Sequence, residues 1–167
     1  HGYERETTPG LERLAAQGVR FEDAHSQTSW TMPSVTSLFT AQTQERHGML
    51  RMNQQLPEGI GTLAQSFQSA GYKTIGLIQN GIIWDHTRLN RGFDEYDVRN
   101  EGNKVSEAIM QKAHDLMLVD RGRPLFMYVH LTPPHQPYLP PKKYSNPFVD
   151  PEYAGAYSID AGVVLMT

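Results

Sequence analysis

The stretch Leu125 to Leu131 reads LFMYVHL, and it decides the fold class. It is apolar apart from His130, and a short continuous apolar run is typical of a strand buried on both faces, as in a parallel sheet. Tyr72 to Ile78 has the same character and predicts a second strand. Val19 to Ala24 alternates enough to predict a third strand, and Gly162 to Thr167 predicts a fourth.

Helical patterns lie between these strands. Thr8 is the expected N-cap of a helix that begins at Pro9 and stops at Gly18. Its apolar face is formed by Leu11, Leu14 and Ala15. Three more helices are predicted: Pro33 to Phe39, a segment from Ile60 through Leu63, Ala64 and Phe67 to a stop at Gly71, and Lys104 to Val119. Helices that alternate with buried strands predict an α/β fold, a largely parallel sheet with helices on both faces.

The composition fits one domain, or part of a larger one. The chain has 167 residues and a net charge of -3, with no run of five or six like charges, which argues against a nucleic-acid partner. Apolar runs are too short for a transmembrane helix in this chain. Cysteine is absent, which excludes disulfides and a cysteine nucleophile.

The first candidate site is the hydroxyl-rich stretch from Ser29 to Leu38. Thr31 lies two residues before Pro33, which opens the predicted helix. A helix N-terminus has free N–H groups and a positive dipole end, so it can hold a tetrahedral anion. A nucleophilic hydroxyl beside such a site is commonly activated by a metal ion. The same pattern also fits a simple helix cap at Thr31 or Ser29.

The second candidate is a pair of histidines. His130 closes the Leu125 strand, and His135 follows in the proline-rich segment Thr132 to Pro151, which we expect to be irregular. Ligands of α/β proteins bind at the carboxyl ends of strands. A histidine there can donate to an oxyanion or protonate a leaving group. A histidine bonded to backbone in a proline corner fits the sequence equally.

Weaker candidates follow the Tyr72 strand. Asn80 stands at its end, and Asp85, His86 and Arg91 lie in the loop beyond. Arg91-Gly92-Phe93-Asp94 is more typical of a packing turn. Three further residues fit structural positions: His47 in a loop, and Trp30 and Trp84 in the core.

Five segments together resemble the sulfatase family of the alkaline phosphatase superfamily. In family order they are TTPGLERLAAQGVRFEDAHSQ (7–27), TMPSVTSLFTAQTQERHG (31–48), LAQSFQSAGYKTIGLIQN (63–80), RGFDEYD (91–97) and PLFMYVHLTPPHQPYLPP (124–141). The resemblance covers most of positions 3 to 144. It implies an alkaline-phosphatase-like layered sheet and a metal-dependent ester hydrolase.

The resemblance also implies roles for individual residues. Thr31 falls at the nucleophile position, which is also a metal ligand, and His135 matches the histidine of the family's Pro-His-x-Pro loop as a second catalytic residue. Asn80 falls near a substrate-binding lysine of the family, and His130 is a nearby second histidine, so both are expected to bind substrate. The implied cofactor is a divalent metal, which is Ca, Mg, Mn or Zn.

Two departures from the family pattern bear on the chemistry. Sulfatases oxidise a Cys or Ser to the aldehyde formylglycine, whereas Thr31 has a methyl group on Cβ and cannot give an aldehyde. Val35 stands where the family has the arginine that orients the aldehyde. Both changes favour superfamily members with a plain threonine nucleophile, which act on phosphate mono- or diesters. The expected substrate is therefore a small-molecule, glycan or lipid ester, with phosphate favoured over sulfate.

The family's fold begins with a strand that ends in metal-binding aspartates, and another metal-binding segment follows a late strand. We therefore expect residues 1–167 to be a single, partial catalytic domain, incomplete at both ends. Two alternatives stay open: a phosphoryl-group transferase that modifies envelope lipid or glycan, and a catalytically inactive binding domain.

Overall fold

The computed structural model describes residues 4–83, 85–99, 102–119, 122–135, 140–148, 150 and 152. Its helices and strands are, in chain order, α1 (Pro9–Gln17), α2 (Thr31–Thr40), α3 (Gln44–His47), α4 (Leu63–Ser69), β1 (Lys73–Ile78), β2 (Glu95–Val98), α5 (Gly102–Leu118), β3 (Leu125–His130) and α6 (Lys142–Ser145). Single 3₁₀ turns cover Asp85–Thr87 and Asn146–Phe148. No helix in the described ranges is long and apolar enough to cross a membrane.

The three strands form one parallel sheet in the order β2-β1-β3. Ile78, the last residue of β1, is in register with Val98 on one side and with His130 on the other. The carboxyl ends of all three strands therefore lie at one edge of the sheet. This arrangement confirms the predicted α/β class.

One face of the sheet packs against α5. Ile75 and Leu77 of β1 form a buried cluster with Ile109 and Ala113 of α5. Met127 and Val129 of β3 pack against the same cluster. They lie two residues apart, and alternate side chains of a strand point to the same face.

The opposite face packs against α2 and α4. Met32, Val35 and Phe39 of α2 join Ile78 in the larger buried cluster. Phe67 of α4 stacks on Phe126 of β3, with ring centroids 4.2 Å apart. Helices thus cover both faces, as predicted.

The predicted strand from Val19 to Ala24 is wrong. No strand of the described chain lies beside this segment to share its backbone hydrogen bonds, and Val19 and Phe21 are 81% and 79% exposed. Helix α1 has the predicted bounds and Thr8 as N-cap, although Leu11 and Leu14 are exposed and no residue of the helix is buried. The apolar spacing therefore predicted the position of α1 correctly, but not a buried face for it.

Other boundaries also differ. Helix α2 begins at Thr31 and not at Pro33, and Ile60 lies before α4, whose N-cap is Thr62. The proline-rich segment contains the short helix α6, because Pro141 stands just before its first residue, where a fixed φ and a missing N–H are tolerated. The strand predicted at Gly162 to Thr167 lies outside the described residues.

Arg91-Gly92-Phe93-Asp94 forms a packing turn against α4, as predicted, and leads directly into β2. Gly92 has φ +87°, and a Cβ there would lie 2.2 Å from the backbone nitrogen of Gln65. Only glycine satisfies both the left-handed backbone and the close approach of α4. The Arg91 guanidinium donates to the carbonyls of Pro57 and Ile60, so Arg91 holds loops together.

Candidate functional site

Thr31, the candidate nucleophile, is the first residue of α2, which begins two residues earlier than predicted. It is half-buried, and its hydroxyl makes no hydrogen bond to any residue that the structure describes. Trp30, the N-cap residue, provides no side-chain cap. Pro33 has no N–H, and the Ser34 N–H bonds to the Trp30 carbonyl, so the N–H groups of Thr31 and Met32 are the ones left at this helix end. The hydroxyl and these N–H groups can therefore meet an anion.

Asn80 and His130 lie together at the carboxyl edge of the sheet. The side-chain Nδ2 of Asn80 is 3.4 Å from Nε2 of His130. On the other side of the ring, Nδ1 of His130 is 2.9 Å from the hydroxyl of Tyr128. Burial lowers the pKa of His130, so its neutral form is favoured near pH 7. The structure thus brings together two of the four predicted site residues.

Tyr128 joins this pair to the helix that begins at Thr31. Tyr128 and His130 are two residues apart on β3 and project from the face that α2 covers. The ring of Phe39 in α2 packs edge-on against Tyr128, with centroids 4.7 Å apart. Helix α2, which begins at Thr31, therefore packs on the face of the sheet from which the His130 side chain projects.

His135 lies in a tight turn just beyond β3. Its backbone N–H donates to the Thr132 carbonyl at 2.8 Å, and its side chain is exposed. The turn is fastened to the end of β1, because the Thr132 hydroxyl donates to the Gln79 carbonyl. The buried side chain of Gln79 also accepts from Ser106 of α5 at 2.7 Å. The histidine loop is thus held at the same edge as Asn80.

His47 is a residue that sequence reasoning misplaced. It ends α3 and is only 1% exposed, with Nε2 3.0 Å from the hydroxyl of Ser37 in α2. The Met49 N–H donates to Nδ1, so Nε2 carries the proton and donates to Ser37. The imidazole lone pair is already used, and this buried Ser–His pair is therefore a joint between α2 and α3, not an activated nucleophile. The ten-residue separation left no local signal for it.

The remaining candidates have structural positions or are exposed. Trp30 packs against the larger core cluster, as expected. Asp85 and His86 lie exposed in the 3₁₀ turn after β1. Val35, at the family's arginine position, is buried in the core. Trp84 lies outside the described residues.

The implied metal ion can be tested against the donor groups. Among the residues that the structure describes, no three His, Asp or Glu side chains are grouped so that they could hold a metal ion. Thr31 offers one oxygen, and a hard divalent cation such as Ca²⁺ takes six to eight oxygen ligands, roughly. The described residues therefore do not fit such an ion by themselves.

The sequence model of the Sulfatase family matches residues 1–158 of the chain. The chain belongs to the sulfatase family. This membership confirms the resemblance carried by the segments around Thr31, Asn80 and His135.

Individual relatives agree with this assignment. The chain is 36% identical over 101 residues to arylsulfatase G of Homo sapiens, covering 56% of this chain and 19% of the relative. It is 24% identical to an arylsulfatase of Clostridium perfringens, covering 90% of this chain and 43% of the relative. It is 25% identical to N-acetylglucosamine-6-O-sulfatase of Bacteroides thetaiotaomicron, covering 84% of this chain and 28% of the relative. The chain thus spans less than half of each of these curated relatives.

A solved structure has the same fold. It is described as a complex with its substrate D-glucosamine-2-N,6-O-disulfate, and it matches with a TM-score of 0.70 at 21% identity. The match covers 88% of this chain and 34% of that chain. The layered sheet, with helices on both faces, is therefore the sulfatase fold in part.

Proposed function

We propose that this chain carries the nucleophile of an ester hydrolase that acts on sulfuric or phosphoric esters, with phosphate favoured. The observation that supports the proposal is the position of Thr31 in a sulfatase-family chain: a half-buried hydroxyl without a hydrogen-bond partner in the described residues, at a helix N-terminus. The helix end favours an anionic ester at that point.

The choice of phosphate follows from the side chain. The Thr31 hydroxyl is a secondary alcohol, and oxidation would give a ketone, not the aldehyde that formylglycine sulfatases need. As a plain nucleophile, Oγ1 forms a bond to phosphorus, loses its proton, and the alcohol part of the substrate leaves with the electron pair of the broken P–O bond and takes up a proton. Water then attacks phosphorus and releases Thr31 and phosphate.

We further propose that Asn80 and His130 bind the substrate and that His135 is catalytic, because all three lie at or just beyond the carboxyl ends of strands at one edge of the sheet. A sugar or small-molecule ester is the proposed substrate class. Two of the matches support it: one relative is named N-acetylglucosamine-6-O-sulfatase, and the solved structure is described with D-glucosamine-2-N,6-O-disulfate as its substrate. A divalent metal requirement belongs to this proposal, with its carboxylate ligands outside the described residues.

The test is an assay of the full-length protein on 4-nitrophenyl phosphate and 4-nitrophenyl sulfate, with and without a chelator. We expect phosphate hydrolysis to dominate and to disappear with the chelator. Thr31→Ala should lower kcat by on the order of 10³-fold or more. Ser29→Ala removes an exposed hydroxyl two residues away and should leave kcat unchanged. Dominant sulfatase activity would overturn the phosphate preference, and a fully active Thr31→Ala variant would overturn the nucleophile.

A further inference from the structure

His130 has a hydrogen-bond partner on each ring nitrogen. The Tyr128 hydroxyl is 2.9 Å from Nδ1, and the Asn80 side-chain nitrogen is 3.4 Å from Nε2. A neutral imidazole has one donor and one acceptor nitrogen, and a tyrosine hydroxyl can pair with either, so the Asn80 side decides which nitrogen carries the proton.

The orientation of Asn80 is fixed by the chain just beyond it. The Ile82 N–H donates to Oδ1 of Asn80 at 2.8 Å, so the amide NH₂ group is the part that faces His130. An N–H on Nε2 of His130 would meet the N–H of Asn80, donor against donor. With the proton on Nδ1, Nε2 accepts from Asn80 and Nδ1 donates to Tyr128, so both contacts are satisfied.

We propose that Asn80 is a positioning residue that holds His130 in the tautomer with the proton on Nδ1, with Nε2 accepting from the Asn80 amide and Nδ1–H donating to the Tyr128 hydroxyl. The proposal rests on the proposed function only in taking the substrate to bind at this edge. The Tyr128 hydroxyl is the acceptor for Nδ1–H, and its ring is held by contacts with the rings of Phe39 in α2 and His130. Burial raises the pKa of Tyr128 to about 12, so it stays neutral and adds no charge.

This tautomer determines what His130 recognises. The single lone pair on Nε2 accepts from the Asn80 amide, so His130 offers the substrate no acceptor. The amide of Asn80 has a second N–H, which can donate to an oxygen of the ester. Asn80 and His130 therefore form a neutral donor subsite at this edge of the sheet, while the helix end at Thr31 takes the anion.

The test reads the tautomer directly, by long-range ¹H–¹⁵N correlation of the imidazole nitrogens in full-length protein at pH 7.5. A His130→Gln variant assigns the signals. We expect the protonated-nitrogen shift at Nδ1 and the unprotonated shift at Nε2 in the wild type. Asn80→Ala removes the amide donor at Nε2 and should move the proton to Nε2, whereas Tyr128→Phe leaves that donor in place and should keep the proton on Nδ1.

Tyr96→Phe is the matched control. Tyr96 is a half-buried tyrosine on the same face, and its hydroxyl donates to the Ile83 carbonyl at 2.8 Å and not to His130. It should leave the tautomer unchanged. A wild-type His130 protonated on Nε2, or the same tautomer in Asn80→Ala, would overturn the inference whatever the activity. A fully active Thr31→Ala variant would overturn the proposed function and leave the tautomer result standing.

Discussion

The ring of Phe39 meets the ring of Tyr128 edge-on, with centroids 4.7 Å apart. Phe39 belongs to α2, which begins at Thr31, and Tyr128 bonds to His130. One aromatic contact therefore couples the helix of the proposed nucleophile to the strand of the histidine. Phe39 also lies 5.8 Å from Phe93, centroid to centroid, which extends the contact toward β2.

Replacing Phe39 tests this coupling. Phe39 is almost fully buried, so Phe39→Ala should lower the free energy of unfolding by about 3–5 kcal/mol through lost burial and a cavity. Leu38→Ala changes the adjacent residue of α2, which is 59% exposed, and should cost no more than about 0.5 kcal/mol. Urea denaturation of both variants measures the difference. Equal stability of the two variants would show that α2 is not anchored through Phe39.

Three glycine-to-alanine variants test how much a left-handed backbone and a close contact each contribute to stability. Gly92→Ala combines a left-handed φ with a Cβ 2.2 Å from Gln65 N, and should lower the free energy of unfolding by about 2–5 kcal/mol. Gly71→Ala has φ +85° and open space, so it should cost only about 1–2 kcal/mol. Gly59→Ala, which has neither feature, should be within about 1 kcal/mol of wild type. Thermal or urea unfolding gives the order, and a Gly92 variant no worse than Gly71→Ala would contradict the close approach of α4.

Local signals in the sequence were sufficient where an element carries its own start and stop. Pro9 and Gly18 delimited α1, and the apolar run from Leu125 located β3. The four-residue strand β2 was missed because Glu95 and Asp97 interrupt it, and its pairing with β1 supplies what the sequence lacks. The Val19 to Ala24 segment had the pattern of a strand and found no neighbouring strand in the described structure.

The sequence also predicted part of the candidate site, namely the residues at the strand ends, but not the side-chain contacts among them. The strand ends placed Asn80 and His130 at one edge because parallel strands share their direction. Tyr128 was not singled out, since its contact with His130 depends on side-chain geometry that a buried apolar run does not reveal. The burial of His47 depends on Ser37, ten residues away on another helix.

Replacing Arg91 tests whether this residue has a structural role or a catalytic one. Its guanidinium donates to the backbone carbonyls of Pro57, Glu58 and Ile60, so Arg91→Ala should lower the free energy of unfolding by about 2–3 kcal/mol. Arg20→Ala removes an exposed arginine paired with Glu22 and should cost at most about 1 kcal/mol. Denaturant titration measures both, and kcat per folded molecule should be unchanged in both. A loss of kcat in Arg91→Ala without loss of stability would assign Arg91 to the reaction instead.

His47 makes the stability depend on pH in a defined direction. Burial lowers the pKa of His47 in the folded state, and the Pro33 carbonyl and the charge of Glu45 oppose that shift only in part. Protons therefore bind more readily to the unfolded chain, where the imidazole has its ordinary pKa of about 6.5. The contribution of neutral His47 is fully present above that pH and is lost as the pH falls through it toward the lower folded value. Burial of His130 acts in the same direction.

We expect the free energy of unfolding to fall between pH 7.5 and pH 5, and His47→Gln to make that fall shallower while lowering stability at pH 7.5. The glutamine cannot take up a proton, which removes one contribution to the slope, but it does not reproduce the bond to Ser37 and the bond from Met49 together. His114→Gln is the control because His114 is exposed on α5, and its slope should match the wild type. Urea denaturation at five pH values measures the slopes. An unchanged slope in His47→Gln would mean that His47 is not the neutral, buried joint between α2 and α3.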